Sequence, residues 1–309
     1  MSLDLICLGE PLVELNQTDP NDPRLLLGHG GDSSNCAVAA ARQGLAVGYW
    51  TRLGADALGD GFLELWRREG VDAGRVLRDP LAPTGLYLVT HGPGGHAFTY
   101  YRSGSAASRM TPGELPEAWL ASCRCLMASA ISQAISTSAC DTVFRAFEIV
   151  RGAGGLLAYD TNYRPRLWPV PRARAIVFEA ARQAHILLPG LDDARALTGL
   201  DDPEAIVDRF LAQGPEVVAL TLGAEGALVA TPERRERLAP HRVRAVDATG
   251  AGDAFDGAFL AAYLRTGDAF AAGRWANAAA ALATTGYGAV APLPNRAAVQ
   301  ALLDREAGR

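Results

Sequence analysis

The sequence predicts an α/β fold, with a central, mostly parallel sheet, helices on both of its faces and a small β-sheet projecting from the main body. Three observations predict it. After residue 110, short apolar strand-like runs alternate with longer helical stretches, the pattern of a sheet covered on both sides. At 247–259 the run DATGAGDAFDGAF goes from a tight glycine turn straight into helical apolar spacing. Between residues 84 and 102, two alternating segments flank the turn HGPGGH, a hairpin signal.

The 309 residues, 49% of them hydrophobic, can bury a sizeable core. There is no internal repeat and no low-complexity linker, so the expectation is a single domain over residues 1–309. The small sheet, inserted in that domain, is expected from about 10–28 and 84–103. Net charge is −5 with acids and bases interleaved, and no basic stripe suggests a nucleic-acid partner. The chain enters an apolar run at once, without a basic leader, and no run approaches membrane-spanning length. A cytoplasmic protein is expected. Cys7, Cys36, Cys123, Cys125 and Cys140 are odd in number and lack metal-binding spacing, and they read as buried reduced thiols. The chain contains no lysine. That excludes a Walker A lysine and a Schiff-base lysine. Any phosphate chemistry must use backbone amides, arginines and a metal.

In chain order, residues 3–8 read as a buried strand ended by Gly9-Glu10-Pro11. Residues 25–31 lead into the pair Gly30-Gly31. Asp32 is placed to cap a helix over about 33–43, which Gly44 ends. Asn35 falls in the first turn, where it can face a ligand or serve as an ordinary polar residue of a helix start. Residues 46–51 read as a strand and 59–69 as an amphipathic helix. The hairpin arms are 84–90 and 96–102. Further strands are expected at 124–130, 155–160, 185–188, 217–222 and 242–246. Ligands of such sheets bind beyond the carboxyl ends of the strands, where Asp160 and Asp253 both fall.

The stretch 247–259 carries the chemistry. Gly250 and Gly252 leave room for a phosphate to approach the unpaired amides of a helix N-terminus. Asp253 then lies beside the anion. It does not help to bind it, but it can take a proton from an attacking hydroxyl. The plainer alternative is a helix with a flexible start and an Asp in its first turn. Two other tracts are polar where a scaffold does not need it. Tyr100-Tyr101-Arg102 faces Tyr87 across the hairpin, and it also reads as an aromatic cross-strand pair with a solvated arginine. DTNYRPRLW at 160–168 contains Arg164, and it also reads as a polar loop with a tryptophan anchor. Two arginines at one mouth suit a sugar acid, whose carboxylate a guanidinium can hold by two bonds.

The run 247–255 resembles the C-terminal signature of the ribokinase-like (PfkB) carbohydrate kinases, Asp-Thr-x-Gly-Ala-Gly-Asp-x-Phe. Only Ala248 departs, standing where the family has Thr. The resemblance implies a ribokinase-like fold, an anion hole at Gly250, Ala251 and Gly252, and Asp253 as catalytic base. The segment GGDSSNCAVAAARQG is similar to the family's sugar-binding signature, which implies that Gly31 and Asn35 contact the sugar. The family uses the small sheet as a lid and often as a dimer surface, so a homo-oligomer is expected. The tracts around Thr84-Gly85-Leu86-Tyr87, Tyr100-Tyr101-Arg102, Ala130-Ile131-Ser132 and 160–168 look like those of 2-keto-3-deoxygluconate (KDG) kinases. By that likeness Tyr87, Tyr100, Arg102 and Arg164 bind a sugar acid and Ile131 lines the pocket. TLGAEGAL at 221–228 resembles the family's ATP-side loop, with Thr221, Gly223 and Gly226, and Asn277 resembles a residue near the adenine. The implied cofactors are ATP and Mg2+, with a monovalent cation as a further candidate. The family's Asn-x-x-Glu is here Gly190-Leu191-Asp192-Asp193, so Asp193 stands at the metal-organising position with a shorter arm.

The expected activity is ATP-dependent phosphorylation of KDG on its terminal hydroxyl. The alternatives are a fructokinase or a 5-dehydro-2-deoxygluconokinase of the same family, or a sugar-acid-binding regulator without turnover. A nicotinamide oxidoreductase fits poorly, because the first strand leads to Gly9-Glu10-Pro11 and not to a dinucleotide fingerprint.

Overall fold

A computed structural model describes residues 3–308 except 18, 20, 93 and 94. Its larger sheet has eight strands, in the spatial order Arg235–Leu238, Ala227–Ala230, Val217–Thr221, Ile186–Leu188, Leu156–Asp160, Cys125–Ser129, Leu5–Leu8 and Val47–Trp50. From Val217–Thr221 to Val47–Trp50 every pairing is parallel, and the first two strands are added antiparallel at the edge. The fold is the expected α/β class, a mostly parallel sheet with helices on both faces. Leu5–Leu8 pairs with Val47–Trp50 on one side and Cys125–Ser129 on the other. The chain reverses direction across the sheet there, so a crevice opens beyond the ends of those strands.

Strand alternation supplies two cores. Leu5 and Cys7 enter one buried cluster, Ile6 and Leu8 the other. The first cluster is closed by Asp32–Arg42, Ala57–Glu69, Ala251–Thr266, Ala269–Ala283 and Arg296–Ala307. The second is closed by Thr137–Gly152, Val170–Gln183, Leu191–Thr198 and Pro203–Leu211. Within the first layer, Ala251–Thr266 lies hard against Asp32–Arg42. A Cβ at Gly257 would sit 2.6 Å from Ala39 Cβ and from the Cys36 carbonyl oxygen, so the close approach requires glycine.

The smaller sheet has the order Leu26–Gly30, Leu12–Asn16, Leu86–Gly92, Gly95–Tyr101. Its register sets Glu14 opposite Tyr87 and Tyr87 opposite Tyr100. The hairpin pairs as far as Gly92 with Gly95, and the tip at 93 and 94 lies outside the described residues.

Two expectations are corrected. Residues 242–246 form no strand. Arg242 and Arg244 are exposed there, and the sheet edge is taken by Ala227–Ala230 and Arg235–Leu238, which fold back on Val217–Thr221 as a meander. Asp32 does not cap its helix. The capping residue is Gly31, at φ 94°, and Asp32 already belongs to the helix. A Cβ at Gly31 would collide with the backbone of Glu10 and Pro11. Among the described residues, no helix is long and apolar enough to cross a membrane.

Candidate active site

The carboxyl ends of the parallel strands and the start of Ala251–Thr266 converge on one crevice. Gly250 takes φ 77° and caps that helix. A Cβ there would stand 2.7 Å from the Ala289 oxygen, so the turn admits only glycine. The Ala251 amide is already used, donating to the Ala248 carbonyl at 3.1 Å. The amides of Gly252 and Asp253 have no backbone acceptor among the described residues. They are the donors left for an anion. A Cβ at Gly252 would meet nothing within 4 Å, so the space before these amides is open.

Asp253 is half-buried, and its Oδ2 accepts from Asn35 Nδ2 at 2.7 Å. The tight packing at Gly257 brings the two helices close enough for this bond. Burial and the neighbouring Asp32 carboxylate push Asp253 up to about 7, against the pull of Asn35 and Arg164. Such a carboxyl is a competent base near neutrality. Asn35 Oδ1 is buried and has no partner among the described residues.

Acidic side chains that sequence reasoning did not assign surround this pair. Asp32 accepts from Asn162 Nδ2 at 3.0 Å, and Asp160 accepts from the Asn162 amide at 2.9 Å. Asp256, one turn beyond Asp253, is buried, with the carboxyls of Asp160 and Asp253 as charged neighbours. Burial raises Asp160 and Asp256 well above the usual carboxylate range. The available signals were a second aspartate three places after Asp253 and charged residues inside strand or helix segments otherwise apolar.

The small sheet carries other residues expected at the site. The Tyr87 hydroxyl donates to buried Glu14 Oε2 at 2.6 Å, and the Tyr87 ring lies 5.7 Å from that of Tyr100. Glu14 was missed, although it is the one charge in the strand LVELN. Tyr100 is exposed and Ile131 is buried in the short helix Ala130–Ala134. Neither expected arginine stands free. Arg102 is ion-paired with Glu10, and Arg164 Nη1 lies 3.5 Å from Asp193 Oδ2 and donates to the Tyr163 carbonyl at 3.0 Å. Burial lifts Asp193 to about 6, and Arg164 draws it back.

Thr221 ends its strand beside Gly190, bridging to it. Gly223 at φ 60° and Gly226 at φ 91° form the turn between Val217–Thr221 and Ala227–Ala230. Asn277 is buried and its amide donates to the Ala239 carbonyl at 2.8 Å, so part of its bonding capacity holds the loop before residue 247. Among the described residues no group of three or more His, Cys, Asp or Glu side chains is arranged to hold a metal. Among the described residues the crevice thus offers amides, carboxylates and arginines.

Comparison with known proteins gives a consistent set. Residues 2–296 match the pfkB family carbohydrate kinase. The chain is 34% identical over 310 residues to the 2-dehydro-3-deoxygluconokinase of Thermoproteus tenax, covering 97% of this chain and 94% of that protein. It is 32% identical to fructokinase-1 of Zea mays, covering 97% and 98%. Among solved structures, a protein described as a ribokinase II from E. coli, in complex with ATP and Mg2+, superposes with TM-score 0.91 at 26% identity, covering 98% and 99%. The fructokinase of Vibrio cholerae with fructose, ADP and calcium bound has TM-score 0.87 at 29% identity, covering 97% and 98%.

Proposed function

The chain belongs to the pfkB family of carbohydrate kinases, and from that premise we propose that this ATP-dependent sugar kinase phosphorylates KDG on its terminal hydroxyl. The observation that carries the reading is Asp253, held by Asn35 at a helix start beside two unpaired amides. Asp253 takes the proton of the sugar hydroxyl as that oxygen bonds to the γ-phosphorus. The bond from that phosphorus to the ADP oxygen breaks. The amides of Gly252 and Asp253 carry the charge on the phosphoryl oxygens. The open space at Gly252 fits a phosphate group.

In this reading Gly31, Asn35, Tyr87, Tyr100, Arg102, Ile131 and Arg164 surround the sugar, and Thr221, Gly223, Gly226 and Asn277 serve the nucleotide. Mg2+, when bound, neutralises the triphosphate, and the lack of a three-ligand protein site among the described residues fits a metal carried mainly on the phosphates. Asp193 is the candidate to steady that metal, released from Arg164 as the site fills. A monovalent cation is a further candidate cofactor. The chain acts as one domain, with the small sheet as its lid and as the surface of a cytoplasmic dimer.

A fructokinase is the second reading. The Zea mays relative favours it, and so does the pairing of Arg164 with a carboxylate of the protein itself. A coupled ADP-release assay decides on a panel of KDG, its galactose epimer, 5-dehydro-2-deoxygluconate, fructose and other neutral hexoses. The expected result is the highest kcat/KM for KDG. A panel led by fructose gives the second reading, and a protein that binds sugar acids without releasing ADP is a regulator.

A further inference from the structure

Glu10 follows the first strand, at the point where the sheet reverses direction. It is 1% exposed. The Ser105 hydroxyl donates to its Oε1, and Arg102 Nη2 is ion-paired with its Oε2. The Arg102 side chain is only 10% exposed, with its guanidinium carbon 5.8 Å from the centre of the Tyr100 ring. Arg102 Nε is buried without a hydrogen-bond partner among the described residues. One edge of the guanidinium is therefore taken by Glu10, and among the described residues Nε is left without an acceptor. A buried carboxylate needs a counter-charge and a buried guanidinium needs an acceptor, so each holds the other in place.

We infer that Glu10 is a positioning residue for acid selectivity: clamped by Ser105, it fixes Arg102 against Tyr100 so that the remaining guanidinium donors meet a substrate carboxylate. This rests on the sugar-acid reading above. Without Glu10, Arg102 would be a buried charge with no partner and would swing towards solvent. The pocket would keep its shape but lose its reader of the carboxylate. Glutamine in place of Glu10 retains an acceptor oxygen for Arg102, so it should restore part of the effect.

The test measures kcat and KM for KDG and for fructose in the wild type, Glu10→Ala, Glu10→Gln, Arg102→Leu and the Glu10→Ala/Arg102→Leu double variant. In Glu10→Ala the ratio of kcat/KM for KDG to that for fructose should fall roughly 10-fold or more, mainly through the KM for KDG. Glu10→Gln should fall between it and the wild type. The double variant should be no less selective than Arg102→Leu alone, because both changes remove one device. If the two single effects multiply, or if Glu10→Ala slows both sugars equally, Glu10 is not acting through Arg102 and the inference is overturned. Should Glu10→Ala fail to fold, Ser105→Ala removes the clamp more gently and must lower the same ratio; an unchanged ratio overturns the inference. A wild type with no preference for KDG overturns the substrate reading and this inference together. A preference that survives every Glu10 and Ser105 variant overturns only the inference.

Discussion

To serve as the proposed base, Asp253 must be desolvated enough to be basic yet open enough to reach a hydroxyl, and the residues around it set both. Burial and Asp32 raise its affinity for a proton, and Asn35 fixes one oxygen. Asp253→Asn is expected to lower kcat by ~10²–10⁴, with sugar affinity retained because the amide still bonds in place. Near-normal turnover in the purified variant would remove Asp253 from the role of base. The pH dependence has a definite sign. The base works deprotonated, so kcat/KM should rise with pH through about 7 and then level. Stability runs the other way. A carboxyl whose folded value is raised from 3.8 to about 7 favours folding most below 3.8, and that contribution is lost as pH rises through about 7. Asp253→Asn should therefore melt higher than the wild type above that range, and the advantage should vanish in acid. A variant that melts lower than the wild type at about pH 8 would contradict the desolvated carboxylate.

At the scale of elements, the helix Ala251–Thr266 joins packing to chemistry. Its close seat on Asp32–Arg42 brings Asn35 to Asp253, and its first turn supplies the free amides. The two glycines of that turn differ in kind. Gly250 is demanded by its φ of 77° and by Ala289. Gly252 has no protein neighbour for a Cβ to meet. Gly252→Ala should therefore leave the fold intact or stabilise it by about 0.4–1 kcal/mol. Its methyl group should nevertheless intrude on the phosphate and lower kcat/KM for ATP. Thermal melting with ATP kinetics on the same preparation checks both; a variant that melts lower would show that the space is filled in solution. The element the sequence misassigned is 242–246. Its alternation of arginines with apolar residues has strand periodicity, but only pairing partners make a strand, and the meander had already closed the sheet edge.

Over the whole molecule, the missing lysine means that, in the proposed reaction, charge neutralisation at the triphosphate falls to arginines, amides and Mg2+. Activity should disappear in EDTA and return with added Mg2+. The melting temperature of the nucleotide-free protein should not move with EDTA, since no three-ligand metal group is present among the described residues. Turnover persisting in chelator with metal-free reagents would refute this. The small sheet carries Leu26, Leu27 and Tyr101 with 59%, 60% and 62% of their surfaces exposed. Such apolar side chains suit a surface that is covered in a dimer. Light scattering should find a dimer for the wild type, and the double substitution Leu26→Asp/Leu27→Asp should shift it to a monomer. A monomeric wild type at working concentration would end the proposal of a lid-mediated dimer.

By itself the sequence determined the α/β class, the order of most strands, the hairpin and the helix start bearing Asp253. These follow from local causes: apolar period, glycine turns and charge spacing within a few residues. Only tertiary structure decided what each polar side chain faces. Asp32 looked like a helix cap, but Gly31 fills that place and Asp32 bonds to Asn162, 130 residues away. Asp256 and Glu14 drew no notice in the sequence; Glu14 is buried and accepts from the Tyr87 hydroxyl, and Asp256 is buried with Asp160 as a charged neighbour. Arg102 and Arg164 looked free and are each paired with a carboxylate from another segment. A charge cannot be buried without a partner, and partners brought together by a parallel sheet lie far apart along the chain, where no local pattern records them.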